Sequence, residues 1–343
     1  MADKIFRVNM TDLSSSVEEV PADWAGYGGR GLTSTIVAAE VEPTCHPLGQ
    51  RNKLVFAPGL LSGTIAANSG RLSIGAKSPL TNTIKESNGG GSAAQLFAKA
   101  GCKALIIEGL PKEDKWYSLA LTPTGVTISE ETELAGKGNF AVVETLGQRL
   151  EGKLGIITIG QAGEMKMTGA NISIKDPDGN IRSGGRGGLG AVMGSKKVKF
   201  ITIDAQGGKV EIADPDKFKE ANRVFSKTLL DHPLTEGLGQ YGTNVLLNVI
   251  NESGGLPTKN FTSGQFEGHD SISGETMHDI IKERGGKVKH NCHAGCIIQC
   301  SQVYNDANGN KMTAGFEYES IWARGADCCV DDLDAIAEAD HIL

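Results

Sequence analysis

Three cysteines fall within nine residues of this 343-residue chain, in the run Asn291-Cys292-His293-Ala294-Gly295-Cys296-Ile297-Ile298-Gln299-Cys300. Thiolates are soft ligands, and iron–sulfur clusters take cysteines from closely spaced runs of this kind. On one continuous helix the outer two α-carbons would stand ~12 Å apart. That is awkward for thiolates sharing one small centre, so the spacing predicts a loop, with Gly295 at the break. Zinc is the alternative, held by the same thiols with His293 or His290, and three buried unliganded cysteines are the plain packing reading. A cubane takes four ligands. Of the remaining cysteines only Cys328 and Cys329 are close in sequence, and adjacent cysteines rarely both reach one metal; Cys45 and Cys102 read as small hydrophobes.

Glycine-rich segments form the second chemical signal. Ser69-Gly70-Arg71 opens a stretch that runs to Lys77-Ser78-Pro79-Leu80-Thr81, and Ser87-Asn88-Gly89-Gly90-Gly91-Ser92 then enters a helical pattern. A guanidinium fork beside glycines that let the backbone approach is a physical anion site. Tight turns in a β-rich domain are the bland alternative. Arg182-Ser183-Gly184-Gly185-Arg186-Gly187-Gly188-Leu189-Gly190-Ala191-Val192-Met193-Gly194-Ser195-Lys196 contains a formal G-x-G-x-x-G at 185, 187 and 190, with Asp204 nineteen residues past the first glycine. A dinucleotide fingerprint starts straight off a buried strand, whereas the turn-forming Asp176-Pro177-Asp178-Gly179-Asn180 precedes this one. Ser195 between Gly194 and Lys196 also breaks the phosphate-loop pattern. An anion-binding turn remains.

These segments need elements to position them. Strands are expected at Ile5–Asn9 and Ser16–Val20, joined as a hairpin, and at Lys53–Phe56, Leu72–Ile74, Ala104–Glu108, Trp116–Leu121, Ile156–Ile159, Ile172–Ile174 and Lys199–Ile203. Helices fit Ser92–Ala100 and Ala141–Leu150. After Asp204-Ala205-Gln206-Gly207-Gly208 the pattern turns helical: Asp214–Leu230, with Asp214 as cap and Pro215 at the first helical position, then Gly242–Ile250, Glu275–Arg284 and Asp331–Leu343. A domain boundary is therefore placed near residues 205–213.

Composition narrows the class. The 46 glycines are about twice the usual share, and the 39% hydrophobic content is enough for a core, which excludes disorder and collagen. The formal charge of −7 and the lack of a long basic block argue against a nucleic-acid partner. No apolar run approaches the length of a membrane helix, and Met1-Ala2-Asp3-Lys4 does not open a signal peptide. A cytoplasmic protein with a metal site, and no membrane partner, is expected.

The order of these segments, together with Gly28-Gly29-Arg30-Gly31-Leu32, Gly101-Cys102-Lys103-Ala104-Leu105-Ile106-Ile107-Glu108-Gly109, Pro257-Thr258-Lys259-Asn260-Phe261, Ile272-Ser273-Gly274-Glu275 and Phe316-Glu317-Tyr318-Glu319-Ser320, resembles the aldehyde:ferredoxin oxidoreductase family of tungsten enzymes. The markers extend over nearly the whole chain. The resemblance implies an α+β fold: a β-rich, two-sheet, pterin-binding N-terminal domain over residues 1–208, then a mainly α-helical, truncated domain over 209–343 with the Fe–S cysteine run. It implies tungsten, less often molybdenum, held by two pyranopterins, a [4Fe–4S] cluster, and a magnesium ion bridging the pterin phosphates. The cofactor contacts map to Arg71, Asn88, Gly90, Arg186, Gly187, Leu189 and Gly190, and the cluster thiolates to Cys292, Cys296 and Cys300. Glu319, with Glu317 second, takes the family's carboxylate role as general acid/base.

Implied partners are a small aldehyde and ferredoxin or another iron–sulfur electron carrier; homo-oligomerisation is left open. Two departures accompany the resemblance. The family's cluster spacing is C-x2-C-x3-C, whereas this chain has C-x3-C-x3-C, and family members run to about six hundred residues, with a catalytic histidine and the last cluster cysteine downstream. The helix at Asp331–Leu343 has no C-cap, so the functional unit is expected to continue past Leu343. Two alternatives stand beside the leading reading: a relative acting on another substrate, such as an aromatic acyl thioester, and a truncated product with no catalysis.

Overall fold

The apolar runs at Leu54–Ala57 and Ala104–Ile107 are continuous because both faces of the strands that contain them are covered. In the computed structural model, which describes residues 3–342, alternate residues of these strands enter different cores. Leu54, Phe56, Leu105 and Ile107 join the main one, while Val55, Ala57, Ala104 and Ile106 pack with Leu32, Ile36 and Val37 of a helix on the other face. Met1 and Ala2, where the expected leaderless start begins, and Leu343, where the last helix was expected to end, lie outside the described residues.

The chain divides into two compact units, one of residues 3–218 with the tripeptide His293–Gly295, the other of 219–292 and 296–342. The first is built on two six-stranded sheets. One contains β1 (Lys4–Asn9), β2 (Ser14–Glu19), β3 (Leu54–Pro58), β4 (Leu72–Lys77), β5 (Ile84–Gly89) and β6 (Cys102–Glu108), in the order β2-β1-β6-β3-β4-β5. The other contains β7 (Tyr117–Thr122), β8 (Gly125–Glu130), β9 (Gly155–Thr158), β10 (Ile172–Lys175), β11 (Ile181–Gly184) and β12 (Val198–Ile203), in the order β11-β10-β9-β12-β7-β8. β1 and β2 form the expected hairpin, Lys4 opposite Glu19.

Side chains from both sheets, including Phe6, Phe56, Ile74, Ile157, Ile172 and Ile201, meet in the main core. Helices α2 (Ala93–Lys99) and α5 (Leu189–Ser195) add Phe97, Val192 and Met193 to it. The outer faces are covered by α1 (Gly29–Glu40) and by α3 (Asn139–Arg149), whose Val142, Val143 and Leu146 pack on Ile156 and Phe200. A short helix, α4 (Gln161–Glu164), precedes β10. Helix α1 was not expected from the sequence. Its Thr33, Thr35, Ile36 and Val37 are β-branched and its start is glycine-rich, so local propensity opposes it and burial decides.

The two sheets touch at both ends of their strand orders. At one end Ser15 Oγ of β2 donates to the Val126 carbonyl of β8 at 2.7 Å. At the other, the Arg186 N–H just past β11 donates to Ser87 Oγ of β5 at 3.2 Å. Each edge strand is thereby shielded, as a stable sheet requires.

Helix α6 (Pro215–Leu230) opens as expected, with Asp214 Oδ1 accepting from the Lys217 N–H at 3.1 Å. The second unit contains α7 (Pro233–Tyr241), α8 (Leu246–Glu252), α9 (Gly274–Glu283), α10 (Tyr318–Arg324) and α11 (Leu333–Ile342). It also has a small antiparallel sheet of β13 (Lys287–His290), β14 (Ser301–Asn305) and β15 (Lys311–Ala314), ordered β13-β14-β15. Its core gathers Leu247, Met277, Ile281, Tyr304, Phe316, Ile321 and Ile336. The helix expected at Gly242–Ile250 is a 3-10 turn over Gly242–Val245 followed by α8, because Gly242 has φ +65°, outside the helical region.

Candidate functional site

The glycine segments of the first unit converge where β5 meets the end of β11. Pairing of β4 with β5 sets Ser73 opposite Asn88, which brings Arg71 beside Asn88. The Arg71 guanidinium donates through Nε to Asn88 Oδ1 and through an NH2 group to the Asn88 carbonyl at 3.1 Å. Asn88 Nδ2 in turn donates to Ser73 Oγ at 3.3 Å, and Glu86, two residues back on the same face, accepts from Arg30 Nε at 3.1 Å. Arg71 and Arg30 are exposed, so two guanidiniums border this face with their outer donors towards solvent. Gly90 is buried in the turn that leads from β5 into α2.

Residues 185–188 are fixed to the same place by two bonds. Besides the Arg186 to Ser87 bond, the buried Ser78 Oγ donates to the Gly187 carbonyl at 2.6 Å. Ser78 Oγ also accepts the N–H groups of Leu80 and Thr81 at 3.1 Å each, so the Lys77–Thr81 segment is a turn that clamps this loop. The Arg186 side chain is exposed. Exposed guanidiniums thus stand on two glycine-rich segments that meet at this junction, Arg71 at Asn88 and Arg186 on the loop bonded to Ser87, and guanidiniums beside glycine backbone are the residue types phosphate recognition uses.

Several of these glycines have packing duties. Gly188 has φ +67°, and a Cβ on it would stand 1.9 Å from the Thr168 carbonyl oxygen. A Cβ on Gly190 would lie 2.1 Å from the Asn171 oxygen, and the Gly190 N–H donates to the Ala170 carbonyl at 3.0 Å. Leu189 is fully buried in the main core. Gly187, at φ +82°, lies under Lys85. The loop does leave a strand, β11, which the sequence reading took for turn alone. The dinucleotide reading of this loop fails for a different reason: α5 leads to β12, three places away in the sheet and antiparallel to β11 through β10 and β9, so β11, α5 and β12 do not form a parallel βαβ unit. Lys196 is wholly buried, its Nζ donating to the carbonyls of Asn52 at 2.7 Å and Gly109 at 3.2 Å, and burial lowers its pKa to about 7. It anchors the end of α5.

The two glutamates lie in the second unit. Glu319 is exposed in the first turn of α10. Glu317, half-buried at the N-cap of that helix, accepts from Thr243 Oγ1 at 2.7 Å, and Thr243 Oγ1 accepts the Tyr318 N–H at 2.9 Å. Glu317 is thus held in place, while Glu319 is free to face solvent.

The cysteine run is a loop, as its spacing required, with Gly295 at φ +82°. It brings together Cys292, His293 and Cys296, whose ligand atoms all lie within 4.8 Å of one another; Cys300 is not among them. Cys328 and Cys329 are exposed, and Cys45 and Cys102 are buried, consistent with core packing for the latter pair. Two thiols and an imidazole suit iron–sulfur or zinc chemistry, so the donor set fits a metal centre. From the sequence, His293 is a secondary candidate, a zinc ligand or a substitute should the three-cysteine spacing fail. A signal was available: His293-x2-Cys296-x3-Cys300 has the spacing that the resemblance assigns to three cysteines.

Residues 5–205 match the family model described as the aldehyde ferredoxin oxidoreductase N-terminal domain, and residues 220–343 match domains 2 and 3 of the same family. The tungsten-containing aldehyde ferredoxin oxidoreductase of Thermococcus kodakarensis is 38% identical over 98% of this chain and 54% of its own length. That of Pyrococcus furiosus is 37% identical over 99% of this chain and 54% of its own. The WOR-like subunit of an aliphatic sulfonate oxidoreductase from P. furiosus is 28% identical over 81% of this chain and 45% of that protein. Among solved structures, the active-site complex BamBC of benzoyl coenzyme A reductase with 1,5-dienoyl-CoA superposes with a TM-score of 0.78 at 22% identity, covering 99% of this chain and 52% of that one. The fold is shared with it. The chain spans about half the length of the curated relatives it matches.

Proposed function

Since the chain belongs to the aldehyde ferredoxin oxidoreductase family, we propose that it serves a tungsten-pterin oxidoreductase converting an aldehyde to a carboxylic acid, with electrons leaving through a [4Fe–4S] cluster to ferredoxin or another iron–sulfur carrier. Residues 1–208 hold the pterins and residues 209–343 carry the cluster run, in the cytoplasm. When bound, the tungstopterin supplies the two-electron chemistry and the cluster supplies the electron outlet.

The observation that carries this reading is the meeting of Arg71, Asn88 and the Arg186 loop at one end of the sheets, from segments 99 residues apart. Arg71 and Arg186 would hold the pterin phosphates, and a magnesium ion would offset the phosphate charge that they leave. Gly90 keeps the backbone low enough for the cofactor to approach, while Gly187 and Gly190 let the loop pack beneath Lys85 and against the Asn171 carbonyl so that its backbone faces the cofactor, and Leu189 seats that backbone by filling the core. Glu319 takes the proton from the water whose oxygen enters the acid. Glu317, held by Thr243, is second in line for that role.

Metal analysis of protein purified without oxygen tests the reading. Tungsten with about four irons supports it; zinc alone overturns it. A second reading, reduction of an aromatic acyl thioester, draws support from the shared fold with the benzoyl coenzyme A reductase complex. A panel of aldehydes, aromatic acyl thioesters and aliphatic sulfonates, each assayed with a low-potential dye, separates the substrate classes. Absence of tungsten and of all turnover would identify a non-catalytic product.

A further inference from the structure

His293 is 2% exposed, which raises the matter of what its two ring nitrogens do. Nδ1 lies 2.9 Å from the Ala294 carbonyl oxygen, an atom that can only accept, so Nδ1 carries the proton. The lone pair therefore sits on Nε2. A metal-binding imidazole is oriented in this manner, through an N–H bond to a carbonyl from the nitrogen that does not face the ion.

The carbonyl is itself restrained. Gln95 Nε2 donates to the same Ala294 oxygen at 3.1 Å, and the Asn68 N–H donates to the neighbouring Gly295 carbonyl at 3.0 Å. Gly70 completes the seat. A Cβ on it would stand 2.4 Å from His293 Nδ1 and 2.7 Å from Cγ, so only glycine admits the ring. A surface histidine needs none of this; here Asn68, Gly70 and Gln95 fix one imidazole tautomer and pose. The Sγ atoms of Cys292 and Cys296 lie within 4.8 Å of a ring nitrogen of this imidazole and of each other.

We infer that His293 ligates the metal centre of the cysteine run through Nε2, beside Cys296, in place of one thiolate. The inference rests on the iron–sulfur reading given above. Exchange of an anionic thiolate for a neutral imidazole raises the reduction potential of a cluster, so this centre accepts electrons more readily than an all-cysteine one. The glycine of the Ser69-Gly70-Arg71 segment acquires a duty separate from that of Arg71: it sets the ligand geometry.

Pulsed EPR on the dithionite-reduced protein, purified anaerobically with and without ¹⁵N-labelled histidine, tests this. The expected result is a strongly coupled nitrogen that changes its splitting pattern with the label. His293→Cys should keep the iron, lose the nitrogen coupling and shift the midpoint potential to a more negative value. Gly70→Ala, with His293 intact, should weaken or abolish the coupling by displacing the ring. A cluster signal in the unaltered protein with no strongly coupled histidine nitrogen would overturn the inference while leaving the iron–sulfur reading in place. Coupling that survives His293→Cys would do the same, by pointing to another histidine. Protein that binds zinc and no iron would overturn both.

Discussion

Lys196 offers the sharpest physical test of how the glycine loop is held. Its Nζ is wholly buried and bonded to two backbone carbonyls, and its pKa falls from 10.5 to about 7, chiefly through burial, with Glu108 opposing the shift and Lys53 reinforcing it. Between about pH 7 and 10.5 the unfolded chain carries a proton at this amine that the folded chain has released. Stability therefore rises with pH across that window, by about 1.4 kcal/mol per pH unit from this group alone. Below the window both states are protonated and the contribution is flat at its lowest level. Lys196→Met should remove the slope while lowering stability overall, since two carbonyls lose their donor at ~1–3 kcal/mol each. Denaturant midpoints of both proteins from pH 7.5 to 9.5 give the comparison, other titrating groups being common to the two. Wild type should gain about 3 kcal/mol more than the variant over those two units. Equal slopes would refute the burial argument.

Arg71→Ala should lower pterin and tungsten content, as loss of a charge-assisted grip of about 1.5–3 kcal/mol weakens retention roughly 10- to 150-fold; iron content, read by absorption and metal analysis, should stay. Gly188→Ala forces a Cβ to 1.9 Å from the Thr168 oxygen at φ +67°, and thermal melting should show a loss of at least about 2 kcal/mol. Cys296→Ala should cost the iron outright, measured by colorimetric iron assay, since Cys296 is the buried thiol of the donor trio.

Fold class and most of the strands of the first unit were legible because the central strands of each sheet are covered on both faces, so their hydrophobic runs are continuous. Helix α1 was not legible: its β-branched residues favour a strand, and only the sheet beneath it, where Gly75 lets Thr33 approach, makes the helix stable. Strands β13 to β15 escaped for a similar reason. Lys287–His290 and Lys311–Ala314 are short, partly exposed and charged, and their pairing with β14 comes from tertiary context. At the site, residue types pointed to an anion-binding turn, and the resemblance supplied the roles. What neither could supply was which glycines make room for other protein atoms. Gly70, Gly188 and Gly190 read alike in a sequence, yet one clears an imidazole and two clear backbone carbonyls. The cysteine reading counted thiols first and so gave the histidine seated among them only a secondary place.

The bond between the Arg186 N–H and Ser87 Oγ closes a loop of 99 residues. A junction of that separation forms late in folding, because the chain entropy of closing it must be overcome before any contact there contributes. The surface that joins Asn88 to the Arg186 loop thus does not exist on a partly folded chain: β5 can pair with β4 early, but the Arg186 loop arrives only when the second sheet docks. Anything that bound across this junction would act as a staple, slowing the opening of the two sheets far more than their formation. Cofactor loading and protection from proteolysis should therefore appear together in time, with the apo chain cut first in the segments that flank β5 and β11.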